Sequence, residues 1–402
     1  MLTVGFDVAK EFHWVSVTVP DPVTGKAREV LSRRVENSPG EIAAAIEQIG
    51  GFEAEHGQVT VGIDVLGGIA RLLEVMLLQA GLDVVHVPGL AVKTARRATR
   101  GGEHKSDPRD ARVIADLVRA RDDLRVITAT SSADVALGLL VSRRRELVVD
   151  QTRRISRLRD LLCSVHPALE RVTDPTHKVD LVLLARYVAP AEIRRAGQAR
   201  ITNYLLRNGR HRHATVDRLT TAALTAAEGQ HITVPGEQVA VAIIKDLAAE
   251  ALEARAKISH LDDQIAELLD EHPDAALVRS LPGMGATLTA EFLAAAGGIT
   301  RFTSGDQLAS AAGLAPALQQ SGKVRYLQRA TSGDRTLKMI FYQAAFCALQ
   351  RDPASRAYYD RKRRERKTHH QAVIALARRR VNVLHAILRT RQPYRHQPSL
   401  AA

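Results

Sequence analysis

The chain has 402 residues, and its 57 Lys and Arg against 44 Asp and Glu give a net charge of +13. That length exceeds one typical domain, and the positive charge favours a polyanionic partner, although a generally arginine-rich protein has the same composition. Two cysteines without Cys/His zinc spacing, and the lack of a long apolar run, argue against a zinc-binding or membrane protein. We expect no export and a reducing cytoplasm.

The first elements are predicted to be strands. Residues 3–19 contain two β-rich runs joined by a turn, and the third run "REVLSRRVEN" completes an antiparallel meander. A helix is predicted next in "SPGEIAAAIEQIG", where Ser38 caps the helix and Pro39 occupies its first position.

Strands and helices then alternate. Residues 59–65, "VTVGIDV", predict a buried strand, which is followed by a helix ended by Gly81 and by another strand in "DVVHVPG". Three strands followed by this alternation are typical of an α/β, RNase-H-like mixed sheet, which we assign to residues 1–128.

Residues 129–272 are predicted to be helical. A helix at about 132–165 has an apolar seam interrupted by Arg144 and Gln151. The seam at 244–268 is unbroken and consists of Ile244, Leu247, Ala251, Ala254, Ile258, Leu261, Ile265 and Leu268. Such a seam fits a coiled coil between protomers, hence a homo-oligomer such as a dimer or tetramer, or an amphipathic helix inside a bundle.

The last region, 273–402, is predicted to be mainly helical. In "LPGMGATLTA", Gly283 and Gly285 fit a helix-hairpin-helix turn whose backbone N–H groups approach a phosphate, or an ordinary helix connection. A basic run fits either a nucleic-acid backbone surface or a solvated helix face, and it contains Lys362, Arg363, Arg364, Arg366 and Lys367.

Four aspartates are the candidate metal ligands. Asp7 ends "TVGFD" and Asp64 lies in the middle of "VGIDV", and a carboxylate embedded in a strand is costly unless it is paired or binds a metal. Asp107 before Pro108 fits an N-cap, with Asp110 one turn on, so a simple helix cap explains this pair too. Together the four oxygen ligands suit Mg²⁺ or Mn²⁺, and two such ions about 4 Å apart support phosphodiester chemistry.

The motifs resemble those of a known family. "GFDVAK", "VGIDVLGG" and "KSDPRDARVIADL" are similar to the DEDD motif of insertion-sequence recombinases, which include Piv-type DNA invertases and bridge-RNA-guided transposases. "LPGMGATLTAEFLAAAGGITRF", "QLASAAGLAPALQQSGKV" and "SGDRTLKMIFYQAA" resemble the C-terminal transposase domain of that family. The resemblance covers nearly the whole chain and implies a RuvC-like N-terminal domain, a coiled-coil connection and a C-terminal domain with a serine nucleophile.

The resemblance also implies residue roles. Asp7, Asp107 and Asp110 match the first, third and fourth acids, and Asp64 stands where glutamate is usual, which shortens the arm by one methylene. Ser321 in "GLAPALQQSG" matches the nucleophile.

Ser332 in "TSGDRT" is the nearby rival for that role. Because Ser321 has no carboxylate beside it in sequence, its base or metal is expected from the N-terminal acids of the same or another protomer.

The implied function is that of a Mg²⁺-dependent DNA recombinase of an insertion sequence. The resemblance further implies a serine–DNA link and a structured guide RNA that selects the DNA sites. Two alternatives remain open at this point, a junction-resolving nuclease that only hydrolyses and an inactive nucleic-acid-binding relative.

Overall fold

A computed structural model describes most of the chain. The described residues are 1–21, 26–98, 103–129, 131–322, 324–328, 330 and 333–395. They form two compact units, Met1–Thr130 and Ser131–Ala402. The boundary predicted from sequence at 272 remains a prediction.

The first unit is an α/β structure. Its strands are β1 (Leu2–Asp7), β2 (Phe12–Pro20), β3 (Ala27–Glu36), β4 (Val59–Ile63), β5 (Asp83–His86) and β6 (Arg125–Val126). Its helices are α1 (Pro39–His56), α2 (Arg71–Gln79), α3 (Gly89–Ala98) and α4 (Asp107–Ala120).

The sheet of the first unit has the predicted mixed topology. Its strand order is β3-β2-β1-β4-β5-β6, with β1, β2 and β3 antiparallel and β1, β4 and β5 parallel. Strands β1 and β4 are therefore neighbours, which is the arrangement expected of the predicted RNase-H-like mixed sheet. Helix α1 begins as expected, since Ser38 accepts a hydrogen bond from the backbone N–H of Glu41 and Pro39 is the first helical residue. Helix α3 and strand β6 were not predicted.

A pair of glycines brings α4 onto the sheet. Gly5 and Gly62 are register partners on β1 and β4, within the related segments "TVGFD" and "TVGID". A Cβ on Gly5 would lie 2.1 Å from the Ala111 carbonyl oxygen, and one on Gly62 would lie 2.4 Å from Cγ2 of Val118. Because these two glycines lack a side chain, α4 can pack directly against β1 and β4. Asp7 is the last residue of β1, and Asp64 directly follows β4.

The second unit is mainly helical. Its helices are α5 (Ser132–Val165), α6 (Pro167–Val172), α7 (Lys178–Leu184), α8 (Pro190–Arg207), α9 (His213–Glu228), α10 (Glu237–Glu271), α11 (Ala275–Ser280), α12 (Ala286–Ala296), α13 (Gly305–Ala311), α14 (Arg335–Ala348), α15 (Pro353–Arg364) and α16 (His369–Thr390). Strands β7 (Ala317–Ser321) and β8 (Val324–Gln328) form an antiparallel hairpin. The sequence predicted the helices but not this hairpin.

Helices α5 and α10 pack against each other in antiparallel fashion. Arg144 Nε lies 2.5 Å from an Asp262 carboxylate oxygen, and Gln151 Nε2 donates to the Ala251 carbonyl at 3.2 Å. The two polar residues that interrupt the predicted seam of α5 thus have partners on α10.

Much of the apolar seam of α10 is buried within the same chain. Ile265 joins Leu137 of α5 in one core with the C-terminal helices, while Ile244 joins Leu158 in a second core. An internal bundle therefore accounts for the two ends of this seam, whereas Ile258 and Leu261 in its middle are half-buried. A contact between protomers along the seam stays a prediction. The oligomeric state itself remains a prediction. Within the described part of the chain, no helix has the length and apolar character needed to cross a membrane.

Candidate active site

Two of the candidate aspartates lie at one edge of the sheet. Asp7 is the last residue of β1, while β4 ends at Ile63, so Asp64 follows that strand and does not lie inside it as predicted. Because β1 and β4 are parallel, both carboxylates stand at the same end of neighbouring strands. The backbone N–H of Val8 donates to Asp64 Oδ1 at 3.1 Å and fixes that side chain beside β1.

The other two aspartates are in the first turn of α4. Ser106 is the N-cap residue, so Asp107 is the first residue of the helix and not its cap as predicted. Asp110 lies one turn on, as predicted, and its backbone N–H donates to the Ser106 carbonyl. The Asp110 residue is only 4% exposed, and a solvent-facing acidic first turn does not explain such burial.

The other three carboxylates lie close enough to Asp7 to contribute to the shift of its pKa. Burial raises the pKa of Asp7 to about 7, and repulsion from Asp64, Asp110 and Asp107 adds to this effect, while Lys105 opposes it. Burial also raises the pKa of Asp64, with the Val8 N–H acting against the shift and Asp110 adding to it. The site thus concentrates negative charge that a cation would relieve.

Arg96 of α3 supplies one such cation, and the sequence reasoning missed it. Its Nη1 lies 2.6 Å from Oδ1 and 2.5 Å from Oδ2 of Asp110, and both side chains are largely buried. A buried carboxylate needs a counter-charge, which is a signal that an arginine must lie nearby. The identity of that arginine depends on how α3 packs against α4, which spacing alone does not reveal.

The four carboxylates are a set of oxygen donors that fits a hard divalent ion. In this structure Arg96 is the cation that contacts Asp110. Carboxylate oxygens are the ligands that Mg²⁺ and Mn²⁺ prefer. Over the described residues, no three His, Cys, Asp or Glu side chains are grouped so that they could hold a metal ion as they stand. A metal ion bound through Asp110 would therefore share that carboxylate with Arg96 or compete with Arg96 for it.

Ser321 lies in the second unit, at the turn of the β7–β8 hairpin. It is the last residue of β7, pairs with Val324 and is exposed to solvent. Gly322 follows with φ +56°, a conformation that favours glycine. Arg325 and Tyr326 on β8 are also exposed. The rival Ser332 lies outside the described residues.

The two glycines of the predicted helix-hairpin-helix turn have different surroundings. Gly283 has φ +86°, and a Cβ there would lie 2.2 Å from the Ala344 carbonyl oxygen of α14. Packing between helices therefore accounts for Gly283, as in the alternative of an ordinary helix connection. Gly285 is the N-cap residue of α12, with open space where a Cβ would stand. A phosphate contact at this turn stays a prediction.

The basic run forms the end of α15 and the turn before α16. Arg363, Arg364 and Arg366 are exposed, and Arg363 Nη1 donates to the Lys367 carbonyl at 2.6 Å. Lys362 is half-buried, and its Nζ lies 2.8 Å from a carboxylate oxygen of Glu365. The three arginines thus present charge to solvent, whereas Lys362 is engaged within the run.

Comparisons with known proteins define the class of this chain. Residues 4–167 match a DEDD family model described as a transposase, and residues 275–360 match the model of the transposase IS116/IS110/IS902 family. The chain belongs to this family of DNA-processing enzymes, which confirms the resemblance seen in the motifs.

Relatives match over almost the full chain. The uncharacterized 42 kDa protein of insertion element IS900 from Mycobacterium paratuberculosis is 40% identical over 99% of this chain and 98% of its own length. The uncharacterized 44.8 kDa protein of insertion element IS116 from Streptomyces clavuligerus is 36% identical over 98% and 96%. The pilin gene-inverting protein of Moraxella bovis is 33% identical over 34% of this chain and 45% of that protein.

Among solved structures, RuvC of Thermus thermophilus matches 32% of this chain and 100% of its own chain, with 15% identity and a TM-score of 0.25.

Proposed function

We propose that this transposase cuts and rejoins DNA strands, using a divalent metal site formed by Asp7, Asp64, Asp107 and Asp110 and a covalent link to Ser321. The convergence of the four carboxylates, with the pKa of Asp7 raised to about 7, is the observation that carries the proposal. Four acids that repel one another in a half-buried site are costly to the fold, and a cation-dependent reaction explains why they are kept together.

The proposed ligands come from two parts of the first unit. Asp7 and Asp64 would hold Mg²⁺ or Mn²⁺ from strand ends, and Asp107 and Asp110 would hold it from α4. When bound, such ions activate an attacking oxygen and stabilise a leaving one. Asp64 is within electrostatic reach of Asp110, so the shorter arm at this position is compatible with a shared site.

Ser321 would give the reaction its recombinase character. Its hydroxyl would lose a proton to a base and attack phosphorus. A serine O–P bond would form as the P–O bond to one DNA end breaks, and that end would take up a proton and leave as a hydroxyl. The hydroxyl of a second DNA end then attacks the same phosphorus, which forms the new strand and releases the serine. The exposed hairpin, the small Gly322 and the exposed Arg325 support close approach of a phosphate.

Nucleic acid is the partner that the charge supports. The net charge of +13 and the exposed Arg363, Arg364 and Arg366 favour contacts to phosphates. DNA ends and target are the substrates, and we extend the proposal to a structured guide RNA, since the family resemblance points to one. Sequencing the RNA that copurifies with the protein tests this part, and a pool without an enriched RNA from beside the gene contradicts it.

A trapping experiment tests the covalent step. A nicked suicide substrate made from the element ends is incubated with the protein, and the products are analysed on denaturing gels and by peptide mass spectrometry. We expect DNA attached at Ser321 in the wild type and in the control Ser310→Ala, which alters an exposed serine of α13, and no adduct in Ser321→Ala.

Other outcomes of this experiment would support a different nucleophile or one of the two alternative functions. An adduct that persists in Ser321→Ala and vanishes in Ser332→Ala moves the nucleophile. Metal-dependent cutting without an adduct or joining identifies a hydrolysing nuclease. Binding with no cutting identifies an inactive relative.

A further inference from the structure

A cavity of about 640 Å³ lies in the second unit, beside α15, α16 and the segment that follows α16. Apolar and aromatic side chains form much of its wall, including Tyr358, Ile387 and Tyr394. The volume lies within the range of about 300–1,000 Å³ typical of small-molecule sites. The described lining contains neither Ser321 nor the four aspartates, so this cavity is separate from the proposed chemistry.

Two buried charged side chains line the cavity. Arg380 is 4% exposed and Asp352 is 2% exposed; burial lowers the pKa of Arg380 to about 10, while Asp352 acts in the opposite direction. Arg380 donates to Ser355 Oγ at 3.3 Å and to the Pro282 carbonyl oxygen. It therefore ties α15 and α16 to the turn before α12, and its charge is used by the fold.

Two further arginines of the lining are exposed. Arg379 and Arg395 both line the cavity, and the Arg379 guanidinium lies 5.2 Å from the centre of the Tyr358 ring. The same ring has Arg361 at 5.0 Å and Lys362 at 5.5 Å. Tyr358 thus borders both the basic run and the cavity. A nucleic-acid strand bound along the run would therefore reach the cavity.

We propose that this cavity takes one unstacked nucleotide of a single-stranded nucleic acid. The base enters between the apolar and aromatic side chains, where any base gains contact and stacking. Its phosphate stays at the mouth, where Arg379 and Arg395 provide charge-assisted hydrogen bonds. An anion alone would not need the apolar wall, and an uncharged apolar ligand would not need the arginines, so both features together select a nucleotide.

The test compares oligomers with and without bases. Fluorescent oligomers of about 12 units are prepared as oligo-dT, oligo-U and an abasic deoxyribose-phosphate chain, and their affinities are measured by anisotropy in EDTA. Without divalent ions no cutting occurs, so the outcome does not depend on the proposed active site. We expect the full chain to bind the base-containing oligomers about 5- to 100-fold more tightly than the abasic one.

Matched variants assign this preference to the cavity. Ala386→Trp fills the cavity from its edge and should abolish the preference for bases while leaving abasic binding unchanged. Ala357→Trp, at an exposed alanine of α15 that does not line the cavity, should keep the preference. Arg379→Gln with Arg395→Gln should weaken binding of all three oligomers and reduce the slope of log affinity against log salt by about 0.7 to 1.4.

Three results would overturn the proposal. They are equal affinity for abasic and base-containing oligomers, a preference retained in Ala386→Trp, and a preference lost equally in Ala357→Trp. If circular dichroism shows that Ala386→Trp is unfolded, Thr390→Trp fills the cavity from its mouth and is judged by the same criteria. The ratio of oligo-U to oligo-dT affinity then tells whether RNA or DNA is the preferred source of the nucleotide.

Discussion

The raised pKa of Asp7 reflects the electrostatic cost of the candidate site. Its pKa is 3.8 in the unfolded chain and about 7 in the folded one, so the folded state binds more protons between these values. Consequently the free energy of unfolding falls as the pH rises from about 4 to 7 and stays lower above pH 7.

Replacing this carboxyl tests the cost directly. Without metal, Asp7→Asn should be more stable than the wild type at pH 8 by on the order of 1 kcal/mol, and the difference should shrink towards pH 4, because the wild-type carboxyl is then protonated. Thermal unfolding in EDTA across this range measures it. A difference that is absent at pH 8, or that grows on acidification, contradicts the convergence of the acids.

Arg96 is the residue whose replacement separates metal binding from folding. Arg96→Gln removes the guanidinium paired with buried Asp110, so the metal-free protein should lose about 1–3 kcal/mol of stability. Added Mn²⁺ should raise the melting temperature more in this variant than in the wild type, because the ion no longer competes with Arg96.

Arg97→Gln, at an exposed position of the same helix, is the matched control and should respond like the wild type. A smaller Mn²⁺ shift in Arg96→Gln than in the wild type would mean that Arg96 supports the metal ligands and does not compete with the metal.

At the scale of elements, the glycines at the centre of β1 and β4 determine where α4 lies. Gly5→Ala places a Cβ 2.1 Å from the Ala111 carbonyl oxygen, so α4 must shift, at an expected cost of about 1–3 kcal/mol. Gly50→Ala is the control, since it lies in α1 with open space around a Cβ and should stabilise by about 0.5–1 kcal/mol. Urea unfolding of both variants measures these changes, and a neutral Gly5→Ala would show that α4 does not depend on this approach.

Local patterns predicted the elements whose signals are local. The first and fourth strands, the capped start of α1 and the span of α5 follow from alternation, capping residues and helical periodicity. The repeated "TVGFD" and "TVGID" also encoded the glycines that admit α4, although their role becomes visible only from the parallel register. Even the error at Asp64 was small, because β4 ends only two residues before the end of the predicted strand.

Interactions between distant segments were not predictable in the same way. Arg96 and Asp110 meet through packing of two helices, and the α10 seam packs on α5, about 100 residues earlier in the chain. The β7–β8 hairpin was missed because exposed strands lack the buried alternation that identifies a strand, with Leu318, Val324 and Tyr326 all exposed. The serine proposed as nucleophile could thus be identified only by resemblance.

At the scale of the whole molecule, the ends of the α10 seam are buried within the chain. Ile265 is 2% exposed in the core shared with α5, whereas Ile243 of the same helix is 41% exposed. Ile265→Glu should therefore lose about 3 kcal/mol or more of stability, while Ile243→Glu should fold normally. Light scattering with unfolding curves checks both, and a stably folded Ile265→Glu with reduced mass would restore the seam as a protomer contact.

Recombination by an Asp107 variant tests the central claim that the four aspartates form one metal site for strand cutting. A plasmid-borne copy of the element with its flanking DNA is expressed with each variant, and new DNA junctions are counted by quantitative sequencing. Asp107→Asn should reduce junctions by about 100-fold or more, because it removes a charged ligand with little change in shape. Asp116→Asn is the matched control on α4, where Asp116 pairs with Arg112 and Arg119, and it should recombine like the wild type. Wild-type junction counts in Asp107→Asn, with the protein folded and equally abundant, would contradict the site.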